Sequence, residues 1–157
     1  MSEISSLTPI IGVGVMLFDT SEKILLGLRV KAGEETSWCF PGGKIEANES
    51  LEQSAAREFH EETGLKLNAS NIKAFTLLID QASPRINTTI GLSTKLSDDH
   101  LKDHIRVTEP EIFEKWAWFD LSELPANLFP ASEAMLNVWK TEKLRHSWIS
   151  YPIHNKE

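Results

Sequence analysis

Apolar and polar positions fall in blocks along this chain, and most of the apolar blocks predict strands. Residues 10–18 form an apolar, β-branched run, and residues 24–29 form another after the polar turn DTSEK. Short apolar runs bounded by turn residues are typical of strands, so these two predict a hairpin. The same criterion predicts further strands at 38–40, 72–79, 86–96 and 116–119.

From Ser50 onward the spacing of apolar and polar residues becomes typical of a helix. Ser50 and Gln53 have the spacing of a capping box, and Gly64 is a residue type that ends helices, so a helix is predicted over residues 51–63. The preceding segment PGG, residues 41–43, is predicted to break regular structure. Apolar residues recur with helical spacing at positions 131, 135, 138 and 139, which predicts a second, amphipathic helix. Two helices on a mixed sheet of hairpins and longer connections indicate an α/β or α+β sandwich.

Size and charge narrow the class of protein. The 157 residues, 41% of them hydrophobic, fit a single domain spanning residues 1–157. The formal net charge is -7, so the chain lacks the positive field that binding a nucleic-acid polymer usually requires. A small anionic ligand would need local cations or metal ions to offset the repulsion. Neither a signal peptide nor an apolar run long enough to span a bilayer is evident. We therefore expect a soluble, cytoplasmic protein with no membrane partner, in which the lone Cys39 is a buried, inert thiol.

The stretch REFHEETG, residues 57–64, places three acids on one helix face. Glu58, Glu61 and Glu62 fall within about a third of the helix circumference, and two of them lie in the last turn, where the helix dipole is already negative. Like charges at this spacing repel, and Arg57 is the only full cation in the predicted helix. A solvated acidic face is the alternative interpretation. Hard oxygen ligands without His or Cys, however, suit Mg²⁺, with Mn²⁺ as a substitute, and such a site favours phosphoryl transfer to water without a covalent intermediate.

Residues 43–65, GKIEANESLEQSAAREFHEETGL, resemble the Nudix box, in which Gly, Glu, Arg-Glu and Glu-Glu stand at fixed spacing before a closing glycine and hydrophobic residue. Every fixed position is filled, with Phe59 where Val, Ile or Leu is commoner. The resemblance implies a Nudix-type α/β/α sandwich with a mixed central sheet and the box helix on one face. It also implies a pyrophosphohydrolase, an enzyme that hydrolyses a nucleoside diphosphate linked to another group.

The resemblance implies metal ligands and catalytic residues by position. Glu58, Glu61 and Glu62 would bind Mg²⁺, with Glu58 as a candidate base for the attacking water. A further acid from the loop before the late strand often joins them in this family. Glu111 is the first candidate for that acid and Glu109 the second, and both could equally be acids of the loop surface.

The other box positions would support this cluster. Arg57 would orient the carboxylates by ion pairing, and Glu49 would support the cluster from the loop. Gly42 and Gly43 would let the backbone bend closely around the site because glycine lacks a Cβ, and Gly64 would end the helix.

Substrate contacts are expected outside the box. Arg29 follows the run ILLGL and resembles a basic residue that contacts phosphates in the MutT-like branch of the family, although an ordinary surface arginine is the alternative. A nucleobase needs stacking surface and polar edges. The residues of suitable type are Trp38, Phe40, Asn87 and Trp118, and a tryptophan on a strand is more often part of the core.

Beyond the box, the segments ILLGLR, WCFPGGKIEANES and EPEIFEKWAWFDLSELPANLF resemble the MutT-like branch, which hydrolyses nucleoside triphosphates, oxidised ones included, to the monophosphate and pyrophosphate. We therefore expect a small-molecule nucleotide substrate and no nucleic-acid polymer. Hydrolysis of a nucleotide sugar, ADP-ribose, a dinucleotide or dihydroneopterin triphosphate stays open, as does a non-catalytic nucleotide-sensing module. An mRNA-decapping role has less support in an acidic chain without an evident basic path. A homodimer could use the apolar residues of MLNVW or SWISY, which could equally be core.

Overall fold

A mixed sheet of eight strands, all within the described residues, is the centre of the fold. The computed structural model describes residues 7–145 and 147–155. The strands are β1 Ile10–Phe18, β2 Ile24–Arg29, β3 Ser37–Cys39, β4 Gly42–Lys44, β5 Lys73–Asp80, β6 Asn87–Lys95, β7 Phe113–Phe119 and β8 Trp148–Pro152. The α-helices of this region are α1 Leu51–Thr63 and α2 Pro130–Trp139, with 3₁₀ turns at Ala69–Asn71 and Asp99–His104. The predicted α/β class with a mixed sheet is confirmed.

Strand β1 organises the sheet because it changes partner along its length. On one side it runs parallel to β6, with Ile10 opposite Asn87 and Phe18 opposite Lys95. On its other side its first half pairs antiparallel with β4, and its last residue pairs with the start of β2. Strand β2 continues to β3 and β7, and β6 continues to β5 and β8. The resulting row β4-β1-β6-β5-β8 carries the box strand β4 at one end.

Helix α1 forms where the sequence predicts it, because its signals are local. The Ser50 side chain accepts the backbone N–H of Gln53 at 3.1 Å, and the Gln53 side chain accepts the Ser50 N–H at 2.9 Å, which completes the capping box. Gly64 ends the helix with a left-handed φ of 82°. These caps fix the bounds at Leu51–Thr63.

The two helices cover opposite faces of the sheet, as the alternation along β1 demonstrates. Val15 belongs to the core that also contains Phe59 of α1, whereas its neighbour Met16 belongs to the core that contains Met135 of α2. Successive side chains of a strand point to opposite faces. The fold is therefore an α/β/α sandwich with α1, the box helix, on one face. Met135 and Trp139 of the segment MLNVW contact this second core, Trp139 by stacking 5.2 Å from Phe18.

The prediction that residues 41–43 break regular structure is wrong for the two glycines. Gly42–Lys44 form β4, and a Cβ placed on Gly42 would lie only 2.0 Å from the carbonyl oxygen of Val13. The glycines therefore allow close pairing instead of ending it, because the absence of a side chain brings the two backbones together. Strand β8 was not predicted as a strand. It contains the last four residues of the segment SWISY together with Pro152, and it pairs with β5.

Cys39 is buried, as predicted, and burial raises the pKa of its thiol to about 12, which disfavours the reactive thiolate. Among the described residues no helix has the length and apolar character needed to cross a membrane. Residues 1–6, on which the expectation of no signal peptide partly rests, lie outside the described residues.

Candidate active site

Arg57 is the centre of an ion-pair network on α1. Its Nε and Nη2 atoms donate to the two carboxylate oxygens of Glu49 at 2.7 and 3.0 Å, a forked arrangement that orients both groups. Nη1 donates to Glu58 Oε1 at 2.9 Å, and Nη2 also donates to the carbonyl of Lys44 at 3.0 Å. The hydrogen bonds from Arg57, with one from Ser54 Oγ at 2.7 Å, lower the pKa of Glu49 to about 2. Arg57 therefore ties the helix to the preceding loop and to β4.

Glu58 lies between Arg57 and the backbone of β4. A Cβ placed on Gly43 would lie 2.3 Å from the Glu58 carboxylate, so glycine is the residue that allows this close approach. Burial raises the pKa of Glu58 in spite of its hydrogen bond to Arg57, and repulsion from Glu61 and Glu109 raises it further. The carboxylate is thus held in place next to other acids.

Glu62 is the most buried acid of the box helix, with 7% of the residue exposed. Its Oε1 accepts the backbone N–H of Gly42 at 2.7 Å. Burial raises the pKa of Glu62 to about 8, and repulsion from Glu58 and Glu109 acts in the same direction, against the Gly42 hydrogen bond. A positive charge placed beside this carboxylate would reverse that shift.

The loop before β7 is fixed along the C-terminal end of α1. The backbone N–H of Arg106 donates to the carbonyl of Thr63 at 2.8 Å. The hydroxyl of Thr108 donates to the carbonyl of Glu61. These bonds satisfy carbonyls that a helix end leaves free, and they bring the acids of this loop to the box helix.

The loop contributes Glu109 to the acidic cluster. Glu109 is partly buried, and its charge contributes to the raised pKa of Glu58 and of Glu62 after the larger effect of burial. Glu111, the first candidate from the sequence, is exposed and raises the pKa of Glu109. Glu109 is therefore the loop acid within electrostatic range of the box carboxylates.

A cleft of about 550 Å³ opens beside the box residues. It extends from β4 across β1 and β6, and α2 and the loop after β3 contribute to its wall. The residues predicted from the sequence that line it are Arg29, Phe40, Gly42, Gly43, Glu62 and Asn87. Part of the predicted substrate set therefore lies together with part of the box.

Two predicted substrate contacts lie elsewhere. Trp118 lies under the ammonium group of Lys102, which is 4.4 Å from the ring centroid, in a separate depression. Trp38 packs edge-on against Phe119, with 5.0 Å between ring centroids. Neither tryptophan lines the cleft, so the structure does not bring them together with Phe40 and Asn87.

Arg29 lines the cleft but is already paired. Its Nε and Nη2 atoms donate to the two carboxylate oxygens of Glu34 at 2.7 and 3.1 Å, and these bonds raise the pKa of Arg29. Its guanidinium also lies 5.1 Å from the ring centroid of Phe129. A phosphate that reached Arg29 would compete with Glu34 for the same donors.

Comparison with known proteins decides the family. The NUDIX domain model matches residues 8–138, which is most of the chain. This chain belongs to the Nudix family. An RNA pyrophosphohydrolase of Teredinibacter turnerae is 35% identical over 122 residues, 68% of each chain. The oxidized purine nucleoside triphosphate hydrolase of Mus musculus is 29% identical over 113 residues, which cover 69% of this chain and 66% of the mouse protein.

Solved structures agree with this assignment. A MutT Nudix hydrolase from Burkholderia pseudomallei is 29% identical and matches with a TM-score of 0.68 over 83% of this chain and 97% of that chain. The Nudix-type sandwich and the resemblance to MutT-like hydrolases, both predicted from the sequence, are confirmed. The protein is a Nudix pyrophosphohydrolase.

Nudix hydrolases generally use a divalent metal, and the box residues of this one fit such an ion chemically. No group of three or more His, Cys, Asp or Glu side chains in the described part of the chain is already arranged to hold a metal, and Arg57 engages Glu58. Mg²⁺ keeps several waters, however, and takes only one or two carboxylates from many proteins. The raised pKa values of Glu58, Glu62 and Glu109 express burial and mutual repulsion that a hard divalent cation would relieve.

Several residues of the cleft in this Nudix hydrolase were not named as site residues from the sequence. They lie after β2, on β5, just before and within α2, and on β8, far apart along the chain: Lys31, Asp80, Phe129, Met135 and Trp148. No short motif contains them. The only local signal was Asp80, an acid that ends an otherwise apolar run.

Proposed function

We propose that this Nudix hydrolase is a Mg²⁺-dependent nucleoside triphosphate pyrophosphohydrolase that releases a nucleoside monophosphate and pyrophosphate, from oxidised nucleotides as well. One observation carries the proposal. The same cleft is lined by the box residues Gly43 and Glu62 and by aromatic and amide side chains, including Phe129 and Asn87. The first group suits a metal-bound phosphate chain and the second suits a base, because binding sites combine apolar surface with a few polar groups that fix orientation.

In this proposal the acids of α1 hold the metal. Glu58, Glu61 and Glu62 would bind Mg²⁺ together with Glu109, since Glu109 shares their electrostatic environment. When bound, the metal would polarise phosphate oxygens and offset the charge that develops on them. Arg57 keeps Glu58 positioned through its 2.9 Å hydrogen bond, and Glu58 can then accept a proton from the attacking water.

The phosphate chain needs positive charge in a protein whose formal net charge is -7. In the described part of the chain, three cationic side chains line the cleft, those of Arg29, Lys31 and Lys44. Arg29 would exchange its carboxylate partner Glu34 for a phosphate oxygen, because a guanidinium binds both groups through the same forked donors. The cleft can therefore attract a triphosphate in spite of the overall charge.

A substrate panel tests the proposal directly. The purified protein would be incubated with Mg²⁺ and nucleoside triphosphates, nucleotide sugars, ADP-ribose or dinucleotides, and the release of pyrophosphate and monophosphate would be measured. Nucleoside triphosphates should give the highest kcat/KM. A higher kcat/KM for any other class would refute the proposed substrate.

Glu61→Gln tests the metal assignment. The side chain of Glu61 is 53% exposed, so the substitution should leave the fold intact while it removes a ligand charge. Turnover should fall by orders of magnitude. Glu114→Gln, which removes an exposed acid from β7, is the matched control and should retain wild-type turnover. Near-normal turnover of the Glu61 variant would contradict the metal assignment.

An RNA substrate is the second candidate. It is supported by the name of the Teredinibacter turnerae relative and by the depression that contains Trp118, which is lined by the cations Lys102, Arg106 and Lys115. This depression lies beside the end of α1, since the Arg106 backbone bonds to the last turn of the helix. A basic and aromatic surface there suits a nucleic-acid strand.

The two candidates give different results in one assay. On an RNA substrate, kcat/KM for a 5′-triphosphorylated oligoribonucleotide should exceed that for free nucleoside triphosphates, and Lys115→Gln should reduce the first value only. If the oligoribonucleotide is the poorer substrate and Lys115→Gln changes neither value, the RNA candidate is refuted.

A further inference from the structure

Asp80 and Asn87 lie directly opposite each other on neighbouring strands. Strands β5 and β6 are antiparallel, and Ile79 pairs with Thr88, so the next pair in this register is Asp80 with Asn87. Both residues line the cleft that the box residues Gly43 and Glu62 also line. The fold thus places an acid and an amide side by side in the candidate active site.

Both side chains retain unused hydrogen-bonding capacity. One carboxylate oxygen of Asp80 accepts the backbone N–H of Ala82 at 3.0 Å, and the other oxygen has no partner among residues 7–145 and 147–155. The side-chain amide of Asn87 makes no hydrogen bond with those residues either. A carboxylate only accepts hydrogen bonds, whereas an amide both donates and accepts. The pair therefore offers a free acceptor next to a donor.

Flat apolar surface adjoins this pair. Trp148 is the residue opposite Asp80 on β8, and both Trp148 and Phe129 line the cleft. Aromatic side chains of this kind favour a planar, aromatic ligand group. Three strand spacings separate β4 from β5 in the row β4-β1-β6-β5, about 14 Å in all. The base of a nucleotide whose phosphates lie at the box can therefore reach the pair.

We infer that Asp80 and Asn87 select the nucleobase, and that they favour guanine over adenine. The inference rests on the proposed function, since it assumes that the phosphates bind at the box. Guanine carries two adjacent N–H donors on its pairing edge, at N1 and the 2-amino group, and the free carboxylate oxygen of Asp80 can accept from either of them. Its O6 can accept from the amide of Asn87. Adenine presents an acceptor at N1, which would face the carboxylate without a proton between them.

The turn after β5 does not by itself account for an acid at position 80. The bond from Ala82 caps the turn, and asparagine caps such turns equally well. Asp80→Asn therefore preserves the cap and replaces the free acceptor by a donor. This makes the substitution a test of base selection with little effect on folding.

The test compares kcat/KM for GTP and ATP with Mg²⁺ in the wild type and in three variants. The wild type should prefer GTP by roughly tenfold or more, because a site built around a hydrogen-bonding group rejects an analogue that leaves the group unpaired. Asp80→Asn should lose this preference, mainly through KM. Asn87→Leu, which does not touch the turn, should reduce it. Asp120→Asn, which changes an exposed aspartate beyond β7, is the control and should keep the wild-type preference.

Binding of GMP and AMP, measured by calorimetry, separates this inference from the proposed function. Tighter binding of GMP that disappears in Asp80→Asn supports base selection even if no triphosphate is hydrolysed, an outcome that would refute the hydrolase proposal alone. Hydrolysis of GTP and ATP at equal rates, or a preference that Asp80→Asn leaves unchanged, overturns base selection and leaves the hydrolase proposal standing.

Discussion

Replacing Glu62 by glutamine should make the metal-free protein more stable at neutral and alkaline pH. Burial, together with repulsion from Glu58 and Glu109, raises the pKa of Glu62 from an ordinary value of 4.5 to about 8. Between these two values the folded protein binds a proton that the unfolded chain has released. The stability contributed by Glu62 is therefore fully present below pH 4.5 and is lost as the pH rises toward 8.

The size of the effect follows from the same pKa. A difference of one unit between the pKa of the folded and the unfolded state corresponds to about 1.4 kcal/mol. Ionisation of Glu62 should therefore remove on the order of 4 kcal/mol of the free energy of unfolding by pH 8. Glutamine stays neutral, and its amide oxygen can still accept the N–H of Gly42. Glu62→Gln should therefore remove most of the decline in stability with pH. The free energy of unfolding of Glu62→Gln should still fall slightly with pH, because the pKa values of Glu58 and Glu109 are also raised.

Urea unfolding in EDTA at pH 5, 6, 7 and 8, followed by tryptophan fluorescence, measures these free energies. Glu114→Gln, which removes an exposed negative charge from β7, is the matched control and should follow the wild-type curve. Adding Mg²⁺ at pH 8 should stabilise the wild type more than Glu62→Gln. The cation can offset a negative charge at position 62 in the wild type, whereas the glutamine of the variant carries none. If Glu62→Gln declines with pH as steeply as the wild type, the reasoning about buried charge is refuted.

Two further predictions concern the metal and the backbone. Glu109→Gln should raise the Mg²⁺ concentration needed for half-maximal activity more than Glu111→Gln does, because Glu109 is partly buried and adds to the raised pKa of the box carboxylates, whereas Glu111 is exposed. Equal magnesium titrations of the two variants would refute a metal-binding role for Glu109. Gly42→Ala should lower the free energy of unfolding by about 1–3 kcal/mol or more and reduce activity, since its Cβ would lie 2.0 Å from the Val13 oxygen. Gly33→Ala, where the added Cβ meets nothing within 4 Å, should lose stability through its positive φ alone and keep full activity.

The acidic helix could be predicted from the sequence because its determinants are close together along the chain. Ser50, Gln53 and Gly64 fix the ends of α1, and the spacing of Glu58, Glu61 and Glu62 fixes their common face. The ion pair of Arg57 with Glu49 also joins residues only eight positions apart.

The loop acid could not be chosen from the sequence. Glu109 and Glu111 are two residues apart in the same polar segment, and nothing local distinguishes them. The bonds of Arg106 and Thr108 to the end of α1 fix the path of the loop, and that path places Glu109 near the box. The position of Trp118 outside the cleft could not be predicted for a related reason, since a strand residue can face either side of the sheet.

The box, its helix and the family are readable from the chain's residues because each depends on the short segment 43–65. The residues that face the box come from distant segments that folding brings together. Asp80 and Trp148 come from β5 and β8, and Phe129 precedes α2. The pairing of β1 with β6, of β6 with β5 and of β5 with β8, together with the packing of α2, brings them into one cleft. Long-range strand register and helix packing depend on the whole core, so no short segment of the chain encodes the shape of the substrate cleft.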